Sequence, residues 1–328
     1  MIISKTPYRI SFFGGGSDYP SWYNKYQGSV LSTTIDKHIY ITCRTLPKFF
    51  NHRFRLVWSK IENVKSINQI KHPIVKNLLK YFNIKQGLEI HYDGDLPGFS
   101  GMGSSSAFTV GLVNVLCSQL NKEVSNEEIA KMAINFEQKI MRETVGSQDQ
   151  LATSIGGFNK IFFKKKNKFK IINIKNKKNT NNLKKLENNL LLIYTGKKRI
   201  AQNVAKKYSN KLTSVNKKYV DLMIQHVLEG EKILSGNNID DFGKLLNSAW
   251  LTKKKLSSNI SNPKIDQIYE YMISKGALGG KLLGAGGGGF LLFYMKKNLQ
   301  KSFLKKNKKL IEIPFKFSNK GTEILFRN

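Results

Sequence analysis

Three stretches of the 328-residue chain hold residue types that can do chemistry. In the first, Gly101-Met102-Gly103-Ser104-Ser105-Ser106 stands directly before Ala107, Phe108, Val110, Leu112, Val113, Val115 and Leu116. That run is apolar nearly all round a helix, so a buried helix is predicted from about Ser104 to Leu120. The first N–H groups of a buried helix need caps or an anion. Glycines let the backbone approach the anion, and serine hydroxyls add donors or a metal ligand. Phosphate suits such a place by hydrogen bonding and by the helix dipole, worth about 0.3–1 kcal/mol. No Gly-Lys-Ser/Thr comes after the glycines, so this is not a Walker A loop. The plain structural alternative is a serine N-cap after a glycine turn.

The second stretch, Asn135 to Phe158, carries Glu137 one helical turn past Ala133. Asp149 comes after Gly146 in an expected break between helices. Two carboxylates near a phosphate loop could divide two tasks, one holding magnesium and the other receiving a hydroxyl proton. Either alone reads equally as an ordinary surface acid. The third stretch, Leu282 to Leu292, satisfies G-x-G-x-x-G at Gly284, Gly286 and Gly289. The residues after it, Phe290 to Met295, are strand-like rather than helical, so the dinucleotide reading fails. A tight glycine turn packed against another backbone is expected instead.

The elements that must position these residues alternate. Strands are predicted at Ile10 to Phe13, His38 to Leu46, Arg53 to Ser59 and Gly87 to Leu96, with a helix over His72 to Phe82 that carries Pro73 in its first turn. Ser125 and Glu128 have the form of a capping box, before a stripe of Ile129, Met132, Ala133, Phe136 and Ile140. Lys175 to Lys185 reads as a loop or hairpin connection, and a domain boundary is placed at its end, giving 1–185 and 186–328. After a strand at Asn189 to Gly196 the chain is predicted mostly helical to Lys275. Two apolar strands around the glycine turn, a short helix and two further strands close it.

Lys+Arg is 55 against Asp+Glu 22, a net charge of +33. A polyanionic partner is one explanation. Lysine travels here with asparagine and isoleucine, however, as drift in composition would produce, and the basic runs lack interleaved aromatics to stack on bases. No nucleic-acid partner is therefore expected. The start, Met1 to Ile10, has no charged region leading into an apolar segment, so no secretory signal is expected. Gly289 to Met295 is too short to span a bilayer, so no membrane partner is expected. Cys43 and Cys117 are isolated, which points to a reducing cytoplasm and no structural disulfide.

Taken together, the three stretches resemble the GHMP family of small-molecule kinases. The order matches: Thr6 to Pro20 near the start, Pro97 to Phe108 in the middle, Lys281 to Phe290 near the end. Pro97 through Ser105 fits the family's P-x-x-x-G-[LM]-G-S-S pattern. Gly14-Gly15-Gly16-Ser17-Asp18-Tyr19-Pro20 looks most like the D-glycero-D-manno-heptose 7-phosphate kinases within the family, and Thr195-Gly196-Lys197-Lys198-Arg199 looks like that subgroup's Thr-Gly-x-x-Arg. Galactokinase-like members have Gly-Glu-His where this chain has Gly14-Gly15-Gly16, which opens room for a larger, anionic sugar phosphate.

The resemblance implies an α/β (α+β) fold. Its N-terminal α/β domain would have a left-handed-crossover βαβ unit, its C-terminal domain would be ferredoxin-like, and the site would lie between them. It implies ATP and Mg2+ as cofactors and a sugar phosphate as the substrate partner. Asp149 would be the catalytic aspartate and Arg9 the basic residue that contacts it or the transferred phosphate. Pro97, Gly98, Gly101, Met102, Gly103, Ser104, Ser105 and Ser106 would cradle the ATP phosphates. Ser105 and Glu137 would bind magnesium. Asp18 would accept a sugar hydroxyl, with Gly15, Gly16, Ser17, Gly286 and Gly287 around the substrate. Trp58, Ser59 and Lys60 are candidates for the adenine. A distal phosphate needs its own cationic site, for which Arg199 is the first candidate, because guanidinium binds phosphate bidentately, and Lys197 and Lys198 are alternatives. The expected reaction is transfer from ATP to the anomeric hydroxyl of a heptose 7-phosphate, for surface polysaccharide synthesis. Fucose or galactose kinases and a non-catalytic nucleic-acid-binding protein are the alternatives.

Overall fold

The computed structural model describes residues 1–98, 100–175, 179–196 and 201–328. The first part runs β1 (Ile2–Phe13), α1 (Pro20–Tyr23), β2 (Gly28–Thr45), β3 (Phe54–Val57), β4 (Ile61–Val64), α2 (Pro73–Tyr81) and β5 (Leu88–Gly94). Helices α3 (Ser104–Gln119), α4 (Asn126–Asn135) and α5 (Gln148–Ile155) come after it, then the hairpin β6 (Phe158–Lys164) and β7 (Lys168–Asn173). Next are α6 (Thr180–Asn189), β8 (Leu190–Tyr194), α7 (Ala201–Ser209), α8 (Lys217–Leu234), α9 (Asp240–Lys254) and α10 (Pro263–Ser274). The chain closes with β9 (Ala277–Leu282), β10 (Phe290–Met295), α11 (Lys297–Lys306), β11 (Ile311–Glu312), β12 (Phe317–Ser318) and β13 (Glu323–Arg327).

The larger sheet has the order β13-β1-β2-β5-β3-β4. Strand β2 is long enough to serve three neighbours on the side away from β1, with the short β12 at Thr34 and Ile35 between the other two. Its first part, Gly28 to Thr33, pairs with β6, and its second, Ile39 to Thr45, pairs with β5. Strands β3 and β5 run parallel and are joined through β4 and α2. The smaller sheet has the order β11-β8-β10-β9 and is antiparallel throughout. With helices after its first and third strands, this is the ferredoxin-like arrangement.

Helix α3 is buried from Ser106 to Ser118, as its all-round apolar run requires. The Ser125–Glu128 capping box forms on α4, with Glu128 N–H donating to Ser125 Oγ at 3.3 Å. The stripe beyond it is interrupted. Phe136–Ile140 makes a π-helical turn, with Met141 N–H donating to Phe136 O at 2.9 Å. The wider turn shifts the phase of the helix, so Ile140 comes out 40% exposed instead of continuing the stripe. The segment read as a connection up to Lys185 is also corrected, since α6 occupies its end. Leu183 and Leu186, three residues apart, are buried, and the Lys and Asn residues between and around them mask that short apolar face in the sequence. The chain ends in three short strands where two were expected. Among the described residues no helix is long and apolar enough to cross a membrane.

Candidate active site

Arg9 near the end of β1 and Asp149 in the first turn of α5 meet as a fork. Arg9 Nε donates to Asp149 Oδ1 and Nη2 to Oδ2, both at 2.7 Å. The third guanidinium nitrogen, Nη1, donates to Gly101 O at 2.7 Å. Arg9 is almost wholly buried, whereas the Asp149 side chain is 24% exposed. Such a bidentate pair fixes the plane of the carboxylate. Each Asp149 oxygen still has an acceptor direction beyond the one given to Arg9.

The phosphate-loop candidates sit directly against this pair. Arg9 N–H donates to Met102 O at 3.2 Å. Gly103 is the residue before α3, at φ +75°, and no side chain caps the helix. The serine-cap alternative is therefore overturned, and the helix's first N–H groups keep no side-chain partner. A Cβ on Gly103 would lie 3.2 Å from Arg9 Cγ and 3.4 Å from Asp149 Oδ2. Ser104 is half-buried, Ser105 exposed and Ser106 buried. Pro97 and Gly98 are half-buried at the loop's entry, and a Cβ on Gly98 would meet nothing within 4 Å.

The serine that meets Glu137 is Ser106, whose Oγ donates to Glu137 Oε2 at 2.9 Å. Ser105 had been expected at that place. The helix geometry explains the change, because Ser105 points outward at the first turn while Ser106 faces inward. Glu137 lies in the π-helical turn and is buried. Its Oε2 also accepts from Gln150 Nε2. Its Oε1 is buried and accepts no hydrogen bond among the described residues. Burial pushes the Glu137 carboxyl up to about 7 and the charge of Glu143 adds to the rise, with hydrogen bonding from Gln150 and Ser106 opposing it. A buried carboxylate oxygen without a donor suits a hard divalent cation, so these residues fit magnesium.

Asp18 is buried at the turn after β1. Gly16 N–H donates to its Oδ1 at 2.9 Å and Gln148 N–H to its Oδ2 at 3.4 Å. Burial raises its carboxyl to about 6 against these hydrogen bonds, and the charge of Asp149 adds to the rise. Gly15 is the half-buried residue of the turn. Ser17 is engaged within the fold. Its hydroxyl lies 2.8 Å from Gly14 O and 2.9 Å from Ser29 O, and it accepts from Ser29 N–H at 3.0 Å. These bonds tie the turn to β2.

The late glycine turn packs on backbone, as expected. A Cβ on Gly101 would stand 2.5 Å from Leu283 O, and one on Gly289 would stand 2.1 Å from Ser100 O. Gly286 and Gly287 are buried against Ile260, with Gly287 N–H donating to Ile260 O at 2.9 Å. A Cβ on Gly286 would stand 2.8 Å from Ile260 Cα, so this packing by itself requires a glycine there. Trp58 stacks edge-on against His72 at 4.8 Å, and His72 lies 5.1 Å from Phe108 in α3. Arg199, Lys197 and Lys198 lie outside the described residues.

Several neighbours of the site gave no sequence signal. Ser11 Oγ donates to Gln148 Oε1 at 2.7 Å. Tyr19 and Tyr208 meet edge to face at 6.3 Å, and burial raises both phenols, that of Tyr208 to about 12. Lys253 and Lys281 are buried beside Arg9, and burial lowers both ammonium groups, Lys253 to about 7.

Comparison with known proteins bears on this arrangement directly. The GHMP kinases N terminal domain matches residues 68–157, and the GHMP kinases C terminal domain matches 231–309. A D-glycero-alpha-D-manno-heptose 7-phosphate kinase of Campylobacter jejuni is 31% identical, with 98% of each chain covered. A mevalonate kinase of Methanocaldococcus jannaschii is 31% identical over 73% of this chain and 72% of its own. The crystal structure of a D-glycero-D-manno-heptose 1-phosphate kinase from Bacteriodes thetaiotaomicron superimposes with a TM-score of 0.80 at 21% identity, covering 100% of both chains. Two matched domains in the family's order, and a relative alike from end to end, place the chain in the GHMP kinase family, enzymes that phosphorylate hydroxyl groups.

Proposed function

We propose that the protein transfers the γ-phosphoryl group of ATP to the anomeric hydroxyl of D-glycero-D-manno-heptose 7-phosphate, giving the 1,7-bisphosphate for activated heptose and surface polysaccharide. The observation that carries the transfer is the Arg9–Asp149 fork held beneath the uncapped start of α3. The heptose assignment is supported by the Campylobacter relative's name and by the side-chain-free Gly14–Gly16 turn beside Asp18.

The first N–H groups of α3 and the serines there receive the nucleotide's phosphates. Ser106 and Glu137 would hold magnesium, with Ser105 at the open mouth. The ion neutralises phosphate charge when bound. Arg9 presents a fixed positive charge to the transferring group. Asp149 accepts a hydrogen bond from the sugar hydroxyl and aims its oxygen at the phosphorus. The bond from phosphorus to the ADP oxygen breaks as the sugar oxygen–phosphorus bond forms, and the hydroxyl proton passes to Asp149 and then to solvent. Phosphoryl transfer needs mainly this positioning and charge. Asp18, fixed by two backbone N–H groups, addresses another sugar hydroxyl. Arg199 is the proposed partner of the 7-phosphate, and residues 1–185 and 186–328 are the proposed domains. The cytoplasm, where ATP is available, is the proposed location.

A kinase screen over heptose 7-phosphate, heptose, fucose, galactose and mevalonate tests the reading, with the product's phosphate located by phosphorus NMR. A new anomeric phosphate on heptose 7-phosphate, with the other acceptors at least tenfold poorer, is the expected result. Preferred turnover of an unphosphorylated sugar would overturn the substrate assignment.

A further inference from the structure

Lys253 on α9 is 7% exposed, and its ammonium donates to Leu282 O at 3.0 Å and Gly284 O at 2.5 Å. The carbonyl between those two belongs to Leu283, and it is the one that Gly101 lies against. Gly101 O in turn accepts from Arg9 Nη1, and Arg9 holds Asp149. An unbroken series of contacts thus runs from α9, through the end of β9, to the carboxylate that aims the hydroxyl.

A neutral side-chain amide, with two N–H donors, could satisfy two carbonyls without burying a charge. The ammonium here carries that cost in unfavourable company. Arg9 from β1 and Lys281 from β9 are the charged groups that face it, both cationic. Lys281, itself buried, donates to Phe12 O and bears on His226 of α8. Among the described residues neither lysine is paired with a carboxylate, and Asp149 is already taken by Arg9. Asp149 answers Arg9 alone, so the two lysines are left without a counter-anion among the described residues, and the ligand of the adjoining loop is an anion.

We propose that Lys253 is a positioning residue for phosphoryl transfer, fastening the Leu282–Gly284 strand end so that Gly101, Arg9 and Asp149 keep their places under the bound phosphates. The entering phosphate supplies the missing negative charge and favours the ammonium form, so nucleotide binding draws a proton onto Lys253. The inference rests on the phosphotransfer reading and is independent of which sugar is the acceptor.

The test compares wild type with Lys253→Met, and with Lys253→Gln, which keeps a donor for one carbonyl should the methionine variant fail to fold. Calorimetric titration of magnesium–ATP at pH 8, in two buffers of different ionisation enthalpy, counts protons taken up. Wild type should take up a fraction of a proton that the folded variant does not. The kcat should fall about 10- to 100-fold, as for a slightly misplaced catalytic pair, with the acceptor KM little changed. The alkaline limb near pH 7 in wild-type kcat/KM should vanish. Wild type that binds no nucleotide overturns the phosphotransfer reading and this inference with it. Wild type that binds and turns over, beside a folded variant with the same proton count, kcat and pH profile, overturns this inference alone.

Discussion

Asp149 and Glu137 are carboxylates on either side of one loop, and the fold treats them in opposite ways. Asp149 has a guanidinium on both oxygens and keeps an open edge. Glu137 is buried deeper, with hydrogen bonds on one oxygen and, among the described residues, none on the other. The first has its counter-charge built in, so its geometry is set before any ligand arrives. The second is left incomplete, and the magnesium proposed above would complete it. The proposed reaction, which holds a hydroxyl still while exchanging metal–nucleotide each cycle, would use one carboxylate of each kind.

Replacing the preset member should have the largest effect. Asp149→Asn should fold and lose about 10²- to 10⁴-fold in turnover, while its magnesium dependence stays that of wild type. Near-normal turnover in a folded variant would remove Asp149 from the mechanism. Arg9→Met should make Asp149 resemble Glu137, an acid without a counter-charge. Denaturant unfolding should show a loss on the order of 3 kcal/mol, discounted from the full cost of a broken buried pair because Asp149 is partly solvated. Wild-type stability in that variant would mean the fork is incidental to the fold.

The incomplete member should show itself in pH dependence. A carboxyl raised in the folded state to about 7 from an ordinary value of 4.5 leaves the folded protein binding more protons across that window. Metal-free stability should therefore fall as pH rises from 4.5 to 7, by up to about 3 kcal/mol from this group. Glu137→Gln should flatten that part of the fall, leaving the share due to Asp18, and should raise the magnesium needed for activity. A melting profile with the wild-type slope in Glu137→Gln would contradict the assignment. The smallest effect separates two serines. Ser106→Ala should raise the magnesium requirement a few-fold, by order of one lost neutral hydrogen bond, and more than Ser105→Ala does. The reverse order would return the metal role to Ser105.

Much of this was legible in the residues. The apolar run after Ser106 announced a buried helix, and the strand-like residues after Gly289 announced a turn packed on backbone rather than a nucleotide loop. Asp149 was legible because the break after Gly146 set it at a helix start. Which serine meets Glu137 was not, because three serines in a row differ only in their angle around the helix. The π-helical turn was hidden as well, since Phe136 to Ile140 keeps ordinary helical spacing. The engagement of Ser17 with Ser29 was hidden too, because it joins separate parts of the sequence. Lys253 opens the run Lys253-Lys254-Lys255, which reads as a solvated face. Only packing against β9 shows that the first of the three turns inward.

Strand β13 pairs with β1, placing Ile2 opposite Arg327, and Thr6 shares a hydrogen bond of 2.8 Å with Thr322. The strand that carries Arg9 is thus flanked by residues from the opposite end of the chain. Contacts of such sequence separation form late and slow folding. A nascent or truncated chain that lacks the last strand leaves the β1 edge bare, with its backbone groups open to pairing with another molecule. The strand that holds Arg9 is therefore completed only once β13 has docked, and fragments ending before β13 would be prone to aggregate rather than to form a smaller working domain.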